Sequence, residues 1–152
     1  MMNKIAYVAM LAAAVTAVPV VAQDAPVAAQ EDLSQFSPAQ QFGFGMFLLS
    51  KSFVEIISSP DVETNPDAIA EKIDALTQTA EQLQALAPSV DKAELQDILS
   101  KLLVTPEYND VQAAGAAAGT RLRNNDFYGS AKLRTSIQTF FFTVMGLQQA
   151  AF

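Results

Sequence analysis

Apolar residues recur along this chain at alternating steps of four and three, the period of one helical face, in five separate stretches. Phe42, Met46, Leu49, Phe53 and Ile56 mark the first, over about residues 38–58. Ile69, Ile73, Leu76, Ala80, Leu83 and Ala87 mark the second, with Glu71, Asp74, Gln78 and Glu81 turned to solvent. Leu95, Ile98 or Leu99, and Leu102 define a short third, where Asp97 and Lys101 pair at i,i+4. Val111, Ala114, Gly115, Ala118 and Leu122 form the fourth stripe, and Leu133, Ile137, Phe140, Val144, Leu147 and Ala151 the fifth. No stretch alternates with the two-residue period of a strand. The pattern predicts an all-α fold, a small bundle of about five helices.

The punctuation agrees. Ser37-Pro38, Asn65-Pro66 and Thr105-Pro106 each set a capping side chain before a proline at the first helical position. A proline there lacks only an N–H that would have no helical partner anyway. Ser37 and Gln40 have the spacing of a capping box. Ser89 is read as the cap of helix three, with Asp91 in its first turn, and Asp126 or Ser130 as the start of helix five.

Helices one and five carry more apolar residues than one buried stripe needs. Phe44, Phe47, Leu48, Val54 and Ile57 flank the stripe of helix one. Phe140, Phe141 and Phe142 lie about 100° apart around helix five and cannot share a narrow face. These two helices are therefore expected to form the core pair, with the others packed around them.

The N-terminus follows a different pattern. Met1 to Lys4 is a short basic region, Ile5 to Val18 an apolar run, and Val20 and Ala22 supply small residues before Gln23. This is the layout of a secretory signal peptide, too short and too weakly flanked for a stable membrane span. The expected organisation is a signal peptide over 1–22, a flexible Ala-, Gln- and acid-rich leader over 23–36, and the bundle over 37–152. The protein is expected to be exported, periplasmic or secreted, from a bacterial source. Removing residues 1–22 from 152 leaves 130, the size of one ordinary domain. With no cysteine, that domain must rest on its apolar core.

Composition narrows the chemistry. Net charge is −7, and −8 once Lys4 leaves with the leader, so nucleic acid is not expected as a partner. Without His or Cys, the nucleophilic triads and the usual zinc, copper and haem sites cannot form. No cofactor, metal or catalytic residue is expected. Among the acids, only Glu55 lies in an apolar stretch, which leaves carboxylate-pair catalysis without a second partner. Asp61, Glu63, Asn65 and Asp67 begin like a calcium loop, but Pro66 and Lys72 replace its turning glycine and bidentate acid. They read as a loop before helix two.

Three features remain as candidates. Gly115 and Gly119 have GxxxG spacing, read as letting a Phe-rich neighbour approach a soluble helix. Arg121, Arg123, Lys132 and Arg134 gather around Phe127 and Tyr128, half of the cations left after export. This cluster could bind a phosphate, carboxylate or lipid headgroup. The simpler reading is that Arg121 and Arg123 complement the C-terminal dipole of helix four while the rest are solvated. Phe42, Met46, Phe53, Phe140, Phe141 and Phe142 form the third candidate, an apolar interface or pocket. The function expected is contact with an unknown protein partner or a second copy; the alternative is a carrier for a small apolar or lipid-like ligand.

Overall fold

The structure is a computed structural model that describes residues 35–152. The cleavage site at Ala22 and most of the leader lie outside the described residues. Six helices follow in order, with no strand among the described residues. They are α1 (Pro38–Ser58), α2 (Asp61–Thr64), α3 (Pro66–Gln84), α4 (Lys92–Leu103), α5 (Pro106–Asn124) and α6 (Ala131–Ala151). Tight turns at Ala87–Ser89 and Asp126–Gly129 complete the chain. Five of these helices are the expected ones. The sixth, α2, is a single turn where a loop was expected, closed by the Asn65 N–H donating to the Asp61 carbonyl at 2.7 Å.

Caps account for most of the boundaries. The Ser37 hydroxyl accepts the Gln40 N–H at 3.1 Å while Gln40 Oε1 accepts the Ser37 N–H at 3.0 Å, completing the capping box. Asn65, Thr105 and Ser130 cap α3, α5 and α6 in turn. At α4 the cap is Asp91, which accepts the Glu94 N–H at 2.8 Å, and not Ser89. Pro88 draws Ser89 into the preceding tight turn, so the helix starts later. The bundle also takes in Phe36, which the sequence leaves in the leader: its ring is buried and its carbonyl accepts from Gln41 Nε2.

The expected core pair is replaced by another. The most extensive helix contact is α3 with α6, while α1 packs against α3, α4 and α5. Small residues let three helices come close to α1. A methyl group on Gly43 would come within 2.9 Å of Ile98, and one on Gly45 within 2.9 Å of Leu83, so both glycines admit neighbours close to the α1 backbone. On α5, a methyl at Gly115 would meet Val54 at 3.0 Å, while Gly119 meets only Arg123 of its own helix. The GxxxG spacing thus lets the Phe-rich helix α1 approach, through Val54, at one of its two positions. Helix α1 is apolar on several sides because three helices surround it. Helix α6 is apolar on a second side for another reason, since Phe141 and Phe142 stay exposed.

The core is continuous from Phe42 and Leu49 through Ile69, Ile73 and Leu95 to Leu133 and Leu147, all essentially sealed from solvent. Phe53 of α1 and Phe140 of α6 stack at 4.6 Å with their planes 8° apart, joining the two helices by side chains. No helix among the described residues is long and apolar enough to cross a membrane.

Candidate functional site

The basic and aromatic cluster assembles around the turn between α5 and α6. Asp126, Phe127, Tyr128 and Gly129 have φ of 48°, 53°, 51° and 73°, four successive residues in the left-handed region. For the three that carry a Cβ this conformation costs about 1–2 kcal/mol each. Surrounding contacts offset that cost. Arg134 pairs with Asp126, and its guanidinium sits 5.2 Å over the Phe127 ring. The Tyr128 hydroxyl donates to Glu63 at 3.4 Å, and the Ser130 hydroxyl donates to Asp67 at 2.5 Å.

The other cations are also engaged. Lys132 donates to Glu71 at 2.9 Å, and this hydrogen bond raises its pKa, helped by the nearby charges of Glu71, Asp67 and Asp74. Arg121 lies 3.8 Å from Glu63 and donates to the carbonyls of Ile57 at 3.3 Å and Ser59 at 3.5 Å. It therefore complements the C-terminal end of α1 while standing, with Arg123, in the last turn of its own helix. Its Nε is buried without a hydrogen-bond partner among the described residues. Arg123 donates to Thr120 at 3.3 Å.

Arg121, Lys132 and Arg134 thus face acids from α2, α3 and the turn itself. The arrangement is a clamp that holds the left-handed turn against α2 and α3, with its positive charge largely compensated. Beside it lies a shallow cleft of about 220 Å³ lined by Thr64, Asn65, Asp67, Tyr128 and Ser130. Asn65 and Asp67 belong to the acidic stretch that begins like a calcium loop. Among the described residues no group of three or more His, Cys, Asp or Glu side chains could hold a metal. Glu55 lies exposed on α1.

The six apolar candidates separate into two sets. Phe42, Phe53 and Phe140 are buried core residues, and Met46 packs half-buried against them. Phe141 and Phe142 are 52% and 69% exposed, although Phe141 also meets the edge of Phe53 at 5.2 Å. The sequence reading missed two further exposed residues, Met145 on α6 and Phe152 just past its end. Steps of three and four from Gln138 through Phe141, Phe142, Met145 and Gln149 to Phe152 give this helix an outer face away from the core. The signal was present in the sequence: after Arg134 no charged residue occurs through Phe152.

No protein-family model, curated protein or solved structure matches this chain.

Proposed function

We propose that this protein is exported and acts by protein contact, without catalysis, through the outer face of α6. The observation that carries the reading is the exposure of Phe141, Phe142 and Met145, and of Phe152 at the end, on a helix whose other side is core. Contiguous apolar surface of this kind is uncommon on soluble monomers and marks interaction sites. A carrier for an apolar ligand would need room among the core rings, and Phe53 and Phe140 are stacked directly on one another. The basic cluster is a weaker contender, since three of its four cations already face acids.

Export follows from the N-terminal pattern. N-terminal sequencing of the exported form is expected to begin at Gln23; a chain still starting at Met1 would remove this half of the reading. For the contact half, a photoreactive phenylalanine analogue placed at Phe142 in the full chain is illuminated in cells. A protein adduct is expected, and its absence from well-expressed protein would end the contact reading.

A further inference from the structure

We infer that the outer face of α6 binds the same face of a second copy, forming an antiparallel two-helix seam with two-fold symmetry. This rests on the contact reading above and names its partner. Charge is the first argument. The chain is strongly acidic, so two copies repel one another wherever they meet through charged surface. From Thr135 to Phe152 there is no charged side chain, and this stretch carries the exposed apolar face. A charge-free face is what a self-complementary contact between two acidic copies needs, because the same patch meets itself across the dyad.

Area is the second argument. Phe141, Phe142, Met145 and Phe152, each about half exposed or more, present on the order of 400 Å² of apolar surface per copy. Gln138, Thr135 and Gln149 extend the strip, bringing it near the roughly 600 Å² per partner of a small specific interface. The strip from Arg134 to Phe152 is about 28 Å long at 1.5 Å per residue, enough for a helix-to-helix contact.

Register is the third. In an antiparallel pair whose dyad passes at the level of Thr143, Phe141 faces Met145 of the second copy, a ring against a thioether. Gln138 then lies near the second copy's Gln149. Arg134 comes level with the C-terminal turn of the opposite helix, the negative end of its dipole. A bilayer is the competing occupant, but an acidic protein is repelled by anionic lipid, and only Arg134 at one end of the strip and Lys92, which donates to the Phe152 carbonyl at 3.2 Å, at the other would offset that.

The absence of cysteine from the native chain makes a clean test possible. Gln138→Cys and Gln149→Cys variants, each leaving all four apolar side chains in place, are purified and oxidised alone and as an equimolar mixture. The mixture is expected to give a disulfide-linked dimer of one chain of each kind, and each variant alone little. Efficient self-linking of Gln138→Cys, or no linking in the mixture, overturns the antiparallel seam. Sedimentation velocity of the unmodified protein is expected to show mass doubling with concentration, with Kd on the order of micromolar for so small an interface. Phe142→Asp is expected to weaken that association at least tenfold without changing the circular dichroism spectrum.

A parent that stays monomeric at ~1 mM, or that floats with phosphatidylcholine vesicles as a monomer, overturns the proposal. The photo-crosslink at Phe142 separates this failure from that of the contact reading. An adduct with another protein retains contact and removes the second copy, whereas no adduct removes both.

Discussion

At Gly43 a methyl group would sit 2.9 Å from Ile98 and 3.2 Å from the buried Leu95, whereas at Gly146 it would meet nothing within 4 Å. Glycine-to-alanine changes at these positions are therefore expected to act in opposite directions. Gly43→Ala should destabilise by about 1–3 kcal/mol through overpacking. Gly146→Ala should stabilise by up to about 1 kcal/mol, the usual gain in a helix interior. Gly129→Ala has open space around it, yet φ is 73°, so it should cost about 1–2 kcal/mol through backbone strain alone. Denaturant midpoints for the three variants check the signs. In the core, Phe53→Ala and Phe140→Ala each empty one half of a stacked pair, with an expected loss of about 3–5 kcal/mol. Midpoints near that of the parent would show that these rings do not support the core.

Helix ends carry the next scale of stability, and two of them can be compared directly. Thr105 caps α5 through the Tyr108 N–H and donates to the Leu102 carbonyl three residues back at 2.7 Å, both local contacts, so Thr105→Ala should cost about 1 kcal/mol. Ser37 caps α1 and also donates to Glu94 of α4 at 2.7 Å. Ser37→Ala should therefore cost more than Thr105→Ala, the excess reporting the tie between α1 and α4. Equal losses would mean that the bond to Glu94 is worth no more than the local one from Thr105 to Leu102. Along the α3–α6 contact, Lys132 gains a partner on folding and its pKa is raised above the ordinary lysine value. Its contribution is complete below the unfolded-state pKa and lost as pH rises through the folded-state value, in the strongly alkaline range. An NMR titration should find Lys132 deprotonating at higher pH in the parent than in a Glu71→Gln variant. Coincident titrations in parent and variant would show that the Glu71 contact is not kept in solution.

Over the whole molecule, helix dominates among the described residues, and far-UV circular dichroism of the processed protein should show that directly. A strand-dominated spectrum would overturn the fold. The packing order runs from α4 and α5 on one side, through α1 and α3, to α6 on the other. That order leaves α6 at the margin with one face in the core and one toward solvent, which makes it the helix through which contact is proposed. Sedimentation and cysteine cross-linking test that consequence at the same scale.

The amino-acid sequence by itself determined the helices, because their signals are local. A cap and a proline act within one turn, and the four-three apolar period survives whatever the stripe packs against. Ser37, Asn65, Thr105 and Ser130 were all legible as starts for that reason. Partnership between helices was not local, and only the tertiary structure decided it. An apolar surplus looks the same in α1, where three neighbours cover it, and in α6, where Phe142 is left exposed. The basic cluster divided along the same line. Its residues were visible from their spacing, but the acids that neutralise them, Glu63 and Glu71, are about sixty positions away in the chain. Electrostatic compensation depends on distance through space, and the chain closes that distance only when Arg121 of α5 reaches Glu63 of α2 and α6 packs on α3.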